Sequence, residues 1–351
     1  MKILIVYTGG TISSKDGDIG VFDSGDFVRI LNYKKSKFGI SKIDAKTVLN
    51  KDSGNMIMQD WQTIVDAIVA EYDNYDAFIV THGTETMGYS TAAVSFALPN
   101  LGKPVCFTGS QSAFAAAGSD AIMNLENCLR VITTRRDLVG VFLVFGTQIV
   151  SGTRVKKQSE FDYDAFKCSA RFRALGVLGS AIIFNDTEVD THLETIINPA
   201  KTKKQLTIQN KFEDKIAVLT EFPGMRSEII IDLAKNGTRG FILRSYGSGV
   251  PNVAVEGAKY PNLRPAFKYL QDHKIPLVIT SQAHTGVACM CIYEPSILAK
   301  KLGAIAGKDI CIESAVAKLA WLLGQNQSYA QICETMQKNI KGEIIENCCN
   351  N

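Results

Sequence analysis

The sequence is poor in histidine, proline and tryptophan, and it has almost no excess of either charge. Among its 351 residues, 4 are His, 9 are Pro and 2 are Trp, and 38 Lys and Arg stand against 35 Asp and Glu. A surface that neutralises many phosphates has a clear basic excess, so a formal net charge of +3 argues against nucleic acid as a partner. The few prolines and the 46% hydrophobic residues exclude a disordered or collagen-like chain.

Cysteine is present, but its spacing does not form a metal-binding pattern. The chain has 9 cysteines, an odd number that cannot all pair within one chain, so thiols in a reducing compartment are the simplest expectation. Cys289 and Cys291 lie in an apolar segment, yet no second cysteine pair or nearby histidine completes a tetrahedral zinc site. We therefore expect no metal and no other cofactor.

Long apolar runs are also missing from the sequence. The N-terminal segment MKILIVYTGG reaches a Gly-Gly turn after a short apolar run, whereas a signal peptide needs a longer one and a small-residue cleavage site. A membrane-spanning helix needs about 18 or more apolar residues in succession, and no such stretch occurs. We expect a cytoplasmic protein that has no membrane partner.

Short β-branched apolar runs alternate with longer segments of helical period, which is typical of a parallel sheet covered by helices. The chain turns polar around residues 191–212, and the alternation then restarts. We predict an α/β protein with a larger N-terminal doubly wound sheet domain (1–190), a linker region (191–212) and a smaller C-terminal α/β domain (213–351). The predicted strands are Lys2–Tyr7, Ala77–Thr81, Pro104–Thr108, Val139–Phe145, Lys215–Thr220, Gly240–Arg244 and Ile275–Thr280.

Two turns after these strands hold more reactive groups than a turn requires. Ligands of open parallel sheets bind beyond the carboxyl ends of the strands, where Thr8–Thr11 (TGGT) and Thr81–Thr86 (THGTET) lie. The glycines let backbone N–H groups approach a ligand, although a plain Gly-Gly turn is the alternative. In the second turn a hydroxyl could cap the next helix, and His82 could be purely structural. Neither segment has the spacing of a nucleotide-binding loop.

The two threonine-bearing turns could supply a hydroxyl nucleophile. At neutral pH such a group needs a base, donors for the developing oxyanion, and a cation or hydrogen bond that lowers its proton affinity. A lysine from elsewhere in the chain would meet the last need without a metal. The residues alone do not select it, since Lys156 and Lys157 are adjacent and both could belong to a solvated loop.

Several motifs together resemble those of one enzyme family. TGGTIS (Thr8–Ser13) and HGTETM (His82–Met87) look like the two signature motifs of the bacterial-type L-asparaginases. The similarity covers nearly the whole chain in order and is strongest to the cytoplasmic type I branch. It continues through DSGNM (Asp52–Met56), LGKPVCFTGSQ (Leu101–Gln111), SDAIMN (Ser119–Asn124), RVKKQSEFDYDAF (Arg154–Phe166) and ILRSYGSG (Ile242–Gly249).

This resemblance implies an activity and a role for three residues. In such enzymes the second threonine of TGGT is the nucleophile, so Thr11 would attack the side-chain amide of L-asparagine, form an acyl-enzyme and release ammonia. Thr84 would be the second catalytic threonine, assisted by Lys157, which alignment with the downstream FDYDAF segment selects over Lys156. Water would then release L-aspartate.

The resemblance also implies a substrate pocket and an assembly. Ser53, between Asp52 and Gly54, would bind the α-carboxylate of the substrate, and Ser110 would contact the side-chain amide through its backbone. Glu85 would join the catalytic hydrogen bonds and hold the α-amino group. The implied assembly is a homodimer or homotetramer, in which a C-terminal residue of one subunit often completes its neighbour's site.

Two features depart from the family pattern near the implied nucleophile. Glu85 stands where the family carries aspartate, and its extra methylene moves the carboxylate by roughly 1–1.5 Å, a misplacement of the size that costs on the order of 100-fold in rate. The segment Ser13–Asp23, a predicted mobile lid, has no tyrosine, although relatives usually place there a tyrosine that relays the nucleophile's proton. Asp18 lies near the expected position, and Phe22 could cover the site but cannot transfer a proton.

A further departure concerns regulation. Arg244 matches one position of a site at which some type I relatives bind free asparagine as an effector. Ala283 stands where a cysteine contributes to that site in those relatives. We therefore expect weak or absent activation by asparagine.

Other functions share these motifs. Because Glu85 could change the choice of substrate, a glutaminase-like or other amidase is one alternative. A catalytically weak amino-acid binding or sensor protein of the same fold is another. Subunits of tRNA-dependent amidotransferases share the motifs in some organisms. They would be expected to carry an extra N-terminal domain, and we expect a TGGT motif at residue 8 to leave no room for one.

Overall fold

A computed structural model describes residues 1–13, 24–169, 173–196 and 205–345. The predicted lid therefore lies, apart from Ser13, outside the described residues. The described residues fall into two compact units. The first comprises the described residues up to 168 and from 173 to 210, and the second comprises Ser169 and the described chain from residue 211 onward.

The first unit is built around one large mixed sheet. Its described strands are β1 (Lys2–Tyr7), β2 (Lys42–Thr47), β3 (Ala77–Thr81), β4 (Pro104–Thr108), β5 (Gly140–Phe145), β6 (Gln148–Ser151), β7 (Val155–Lys157), β8 (Phe166–Cys168), β9 (Gly176–Leu178) and β10 (Ile182–Phe184). The sheet order is β10-β9-β6-β5-β4-β3-β1-β2, and β7 and β8 form a separate two-stranded ribbon. The strands from β2 to β5 are parallel neighbours, whereas β6, β9 and β10 add antiparallel pairs at one edge.

Helices cover both faces of this sheet, because its central strands are apolar on both sides. The helices are α1 (Ser24–Lys34), α2 (Met58–Ala70), α3 (Met87–Ala97), α4 (Ala121–Thr134) and α5 (Asp186–Thr195). Side chains of α1 and α4 share one core with alternate residues of the strands, among them Phe27, Leu31, Leu125, Leu129, Ile3, Ile5 and Ile79. The intervening strand residues are also buried, on the face that α2 and α3 contact, and they include Leu4, Val6, Phe78 and Val80.

The second unit is a smaller parallel α/β structure. Its strands β11 (Ile216–Thr220), β12 (Gly240–Ser245), β13 (Leu277–Ser281) and β14 (Ala304–Ala306) are adjacent in that order. Its helices are α6 (Ser227–Lys235), α7 (Arg264–Asp272), α8 (Glu294–Lys301), α9 (Ile312–Gly324) and α10 (Tyr329–Met336). The predicted architecture, a larger sheet domain followed by a smaller α/β domain, is thus confirmed.

A buried ion pair attaches the end of the described chain to the second unit. Lys318 of α9 donates to Glu343 Oε1 at 2.5 Å, and both side chains are fully buried. Lys318 Nζ also donates to the carbonyl of Lys338 at 2.6 Å, while Glu343 accepts from the N–H of Lys341 at 2.7 Å. Because a buried charge without its partner is strongly destabilising, these bonds hold the segment after α10 in one conformation.

The predicted strands of the first unit agree closely with the structure. Lys2–Tyr7, Ala77–Thr81 and Pro104–Thr108 have the predicted bounds. The sequence patterns miss β2, because KIDAKT is a polar edge strand in which Ile43 is the only fully buried residue.

Cysteines and helix lengths can also be compared with the expectations. Six described cysteines form no disulfide, whereas Cys289 is disulfide-bonded, so the expectation of thiols is wrong at this position. In the described ranges we find no helix with the length and apolarity that a membrane crossing needs. These ranges also contain no cluster of His, Cys, Asp or Glu suited to a metal ion.

Candidate active site

The turns singled out in the sequence meet at one edge of the large sheet. Tyr7, Thr81 and Thr108 end the neighbouring parallel strands β1, β3 and β4 and are aligned with one another in register. Thr8 Oγ1 donates to the carbonyl of Thr81 at 2.7 Å, and the N–H of His82 donates to the carbonyl of Thr108 at 2.9 Å. The TGGT turn, the HGT turn and the loop after β4 therefore begin side by side.

Glycines allow three segments to pack without side chains between them. A Cβ on Gly10 would lie 2.5 Å from the nitrogen of Gly83, and one on Gly9 would lie 2.6 Å from the backbone of Lys51. A Cβ on Gly83 would lie 2.5 Å from Ser53 Oγ. Gly9 and Gly10 also have positive φ angles of 98° and 88°, which side chains rarely adopt. The TGGT, DSG and HGT segments are thus in direct backbone contact.

Ser53 lies in a short 3-10 turn between these segments. The carboxylate of Asp52 accepts from the N–H of Gly54 at 2.7 Å and so caps the turn. Ser53 Oγ accepts from the N–H of Glu85 at 3.2 Å, and the carbonyl of Ser53 accepts from Thr86 Oγ1 at 2.8 Å. The DSG turn is therefore fixed to the HGT turn by its serine.

An ion pair between Lys51 and Asp60, which lie on either side of the DSG turn in the chain, supports that turn. Lys51 Nζ donates to Asp60 Oδ2 at 2.7 Å, and the same oxygen accepts from the N–H of Ile57 at 2.7 Å. The Asp60 side chain is only 8% exposed, so its charge depends on these donors. We did not single out Asp60 in the sequence, although an acidic residue in the first turn of a helix is a recognisable capping signal.

Lys157 brings a positive charge to the HGT turn. Its Nζ donates to Thr84 Oγ1 at 2.9 Å and to Glu85 Oε1 at 2.6 Å. Thr84 is 7% exposed, and the side chains of Lys157 and Glu85 are 18% and 64% exposed. Because an ammonium group only donates, Thr84 Oγ1 is the acceptor, and the adjacent charge favours the deprotonated form of this hydroxyl.

Thr11 and Ser110 lie in two of the segments that meet at this edge. Thr11 follows Gly10 directly and begins the short 3-10 helix Thr11–Ser13, in which Ser13 Oγ donates to the carbonyl of Gly10 at 2.9 Å. Ser110, in the loop after β4, is 1% exposed, and its Oγ donates to the carbonyl of Ser112 at 2.6 Å. The hydroxyl of Ser110 is therefore engaged within the loop.

His82 is a neutral, fully hydrogen-bonded part of this arrangement. Trp61 Nε1 donates to Ser90 Oγ at 3.1 Å, Ser90 Oγ lies 2.9 Å from His82 Nε2, and His82 Nδ1 lies 2.7 Å from the carbonyl of Gly83. An indole only donates and a carbonyl only accepts, so this chain of bonds assigns the proton to Nδ1. Burial lowers the pKa of His82 to about 4, so the imidazole positions the Gly83 peptide without adding charge.

The described part of the first unit therefore brings together several groups of the kind that acyl transfer uses. They are a hydroxyl that follows a glycine turn, a second hydroxyl beside an ammonium group, and main-chain groups at a sheet edge. Arg244, the predicted effector residue, lies near the end of its strand in the second unit, where it is half-buried. Residues 14–23, which include Asp18 and Phe22, lie outside the described residues.

The contact between the TGGT and HGT turns can be tested by substitution. We expect Gly10→Ala to lower the free energy of unfolding by about 2 kcal/mol or more relative to Gly39→Ala. Both variants strain a positive φ, but only Gly10→Ala also overpacks, which costs about 1–3 kcal/mol. Gly39 has a φ of 63°, and a Cβ added there would meet no described neighbour within 4 Å, so it isolates the strain alone. Denaturant unfolding measures the free energy of unfolding of both variants. Equal losses would contradict the close packing of Gly10 against Gly83.

Comparison with family models supports the resemblance to the L-asparaginases that the sequence motifs indicate. The family described as "Asparaginase, N-terminal" matches residues 2–190, and "Glutaminase/Asparaginase C-terminal domain" matches residues 215–336. L-asparaginase 1 of Escherichia coli is 32% identical over 350 residues, covering 98% of this chain and 98% of that protein. A glutamyl-tRNA(Gln) amidotransferase subunit of Methanosarcina barkeri is 31% identical over 361 residues, covering 99% of this chain and 80% of that protein.

Two solved L-asparaginase structures superpose on this chain over nearly its full length. The thermostable L-asparaginase from Thermococcus kodakarensis gives a TM-score of 0.85 at 27% identity, covering 98% of this chain and 99% of that one. L-asparaginase I from Vibrio cholerae gives a TM-score of 0.81 at 30% identity with the same coverage. With its motifs, its fold and its similarity all in agreement, the chain belongs to the asparaginase family.

Proposed function

We propose that this protein hydrolyses L-asparagine to L-aspartate and ammonia through a threonine acyl-enzyme. The observation that carries the proposal is the position of Lys157, whose Nζ contacts Thr84 and Glu85 across separations of 73 and 72 residues. The residue types alone leave Lys157 indistinguishable from Lys156, and only the resemblance to the family selects it. An asparaginase-like amidohydrolase follows from family membership, and the substrate and the nucleophile are the proposed details.

In the first step, the Thr11 hydroxyl attacks the carbonyl carbon of the side-chain amide. As a tetrahedral oxyanion forms and collapses, the Thr11 proton is transferred to the amide nitrogen, so that the C–N bond breaks and ammonia departs. The product is an ester between Thr11 and the β-carboxyl group of the substrate. Backbone N–H groups at the strand ends are suited to stabilise the oxyanion.

In the second step, water attacks this ester. Thr84 Oγ1, at 2.9 Å from the ammonium group of Lys157, takes a proton from the water as it passes its own hydroxyl proton on towards Thr11, and the adjacent charge makes that proton easier to release. Collapse of the second tetrahedral intermediate breaks the bond to Thr11, and Thr11 regains its proton. L-Aspartate leaves, and no cofactor takes part.

The same residues give a small zwitterion complementary partners. Glu85 accepts from the α-ammonium group, and Ser53 with the Asp52–Gly54 turn receives the α-carboxylate. The main chain of Ser110 contacts the side-chain amide. We further propose a cytoplasmic homodimer or homotetramer, in accord with the resemblance to type I enzymes, whose sites a neighbouring subunit completes.

The first prediction concerns turnover itself. The wild-type protein releases ammonia from L-asparagine, and Thr11→Ala reduces kcat by at least about 1,000-fold, because the covalent route is lost. A coupled assay for ammonia measures both proteins. Saturable binding of asparagine without ammonia release by the wild type would instead indicate an amino-acid sensor.

Preference among amides separates asparaginase from its related functions. One relative of similar identity is a subunit of a tRNA-dependent amidotransferase, so free amino-acid amides must be compared directly. We expect kcat/KM for L-asparagine to exceed that for L-glutamine, since glycine contacts hold the segments around the site close together. A higher value for glutamine would assign the chain to the glutaminase-like alternative.

A further prediction tests the choice of lysine. Lys157→Met removes the ammonium group from Thr84 and reduces kcat for L-asparagine by about 100-fold or more, in the range expected for a lost acid-base or charge-stabilising group. Lys156→Met is the matched control, because neighbouring residues of a strand point to opposite sides, and it retains most of the wild-type kcat. Equal losses in the two variants would contradict the assignment.

Another prediction addresses Glu85. Shortening this side chain in Glu85→Asp withdraws the carboxylate from Lys157 by roughly 1–1.5 Å, so we expect kcat/KM for L-asparagine to fall by about 10- to 100-fold. Glu85→Gln keeps the length but loses the charge, and it is expected to raise KM as well. A gain of activity in Glu85→Asp would mean that the pocket is matched to the shorter acid.

A further inference from the structure

The loop that follows β4 is held by one buried carboxylate that the proposed chemistry does not use. Asp120 Oδ1 accepts from the N–H groups of Gln111 and Ser112 at 3.1 Å each, and Asp120 Oδ2 accepts from the N–H of Gln111 at 3.0 Å. Asp120 is 2% exposed. Its charge lies at the N-terminus of α4, where the helix dipole favours an anion.

A second buried side chain orients this carboxylate. Asn124 Nδ2 donates to the carbonyl of Gly109 at 2.9 Å and to Asp120 Oδ2 at 3.0 Å, while Asn124 Oδ1 accepts from the N–H of Gly146 at 3.0 Å. Because a carbonyl only accepts and an N–H only donates, the amide of Asn124 cannot turn over without losing both backbone bonds. It must therefore present its NH2 group to Asp120.

Asp120 consequently faces donors on both of its oxygens. The N–H groups of Gln111 and Ser112 meet one side of the carboxylate, and Asn124 Nδ2 meets the other. A carboxylate only accepts, whereas an asparagine amide would place an NH2 group against one of these donors. Aspartate is thus the residue of this size that satisfies every partner, which is a stricter requirement than ordinary capping of α4.

We propose that Asp120 is a positioning residue that aims the main chain of Ser110 at the side-chain amide of the substrate. Ser110 lies between Gly109, whose carbonyl Asn124 holds, and Gln111, whose N–H Asp120 holds. The two peptide groups that flank Ser110 are thereby held by hydrogen bonds. This inference rests on the proposed hydrolysis of L-asparagine, since it assigns Ser110 a partner on that substrate.

The loop has other anchors that keep it folded when Asp120 is changed. Gln111 Nε2 donates to the carbonyl of Glu160 at 2.6 Å, and Ser119 Oγ donates to the carbonyl of Ser112 at 3.2 Å. The variant Asp120→Asn therefore shifts the Ser110 main chain rather than unfolding the unit. Hydrogen exchange should show faster exchange of the Gln111 and Ser112 amides in this variant, with the central strands still protected.

Two substrates with the same acyl group distinguish positioning from a general structural effect. L-Asparagine has an NH2 group that can donate to the Ser110 carbonyl, whereas the β-methyl ester of L-aspartate has none, and both would form the same acyl-enzyme. We expect Asp120→Asn to lower kcat/KM for asparagine by about 10- to 100-fold and that for the ester several-fold less. Asp137→Asn, whose aspartate lies beyond α4 and is 62% exposed, serves as the control that changes neither value.

The outcomes separate this inference from the function on which it depends. Equal losses on amide and ester, or no loss on either, would overturn the positioning role of Asp120 while leaving the hydrolase assignment intact. Absence of turnover of both substrates by the wild-type protein would overturn the proposed function and the Ser110 assignment with it. A selective loss on the amide, together with faster exchange at Gln111 and Ser112, is the result that supports the proposal.

Discussion

The close approach of three backbone segments is the constraint on which the rest of the site depends. Gly10 meets the Gly83 peptide, and Gly83 meets Ser53 Oγ, at distances that leave no room for a Cβ atom. Because each segment follows a different strand or turn, a shift in one would move the others. Thr11, Ser53 and Thr84 therefore take their backbone positions from the contacts between these segments, and side-chain bonds such as that between Ser53 Oγ and the N–H of Glu85 add to them.

Charge within this frame is concentrated on a few side chains. Lys157 and Glu85 face each other, while His82 stays neutral because burial lowers its pKa to about 4. A small zwitterion needs one carboxylate and several donors, not a strongly charged surface. The near-zero net charge of the chain, which at first only excludes partners, is consistent with such a substrate.

The sequence predicts the parts of the fold and site that depend on local pattern. The strands β1, β3 and β4 are continuous apolar runs that end in unusual turns, so their bounds and their shared edge follow directly. Lys157 could be selected only by resemblance, because its partners lie 72 and 73 residues away. The sequence pattern does not predict the roles of Asp60 and Asp120 for a related reason. Each accepts hydrogen bonds from backbone N–H groups of a neighbouring turn, and hydrophobic periodicity carries no information about such contacts.

The extra methylene of Glu85 can be reconciled with the site through the two oxygens of its carboxylate. Oε1 of Glu85 lies 2.6 Å from Lys157 Nζ. The Lys157 side chain is only 18% exposed, whereas the Glu85 side chain is 64% exposed. A carboxylate can accept on both oxygens, so the inner contact leaves an outer oxygen to receive an ammonium group. In the proposed reaction, that oxygen receives the α-ammonium group of the substrate while Oε1 stays with Lys157.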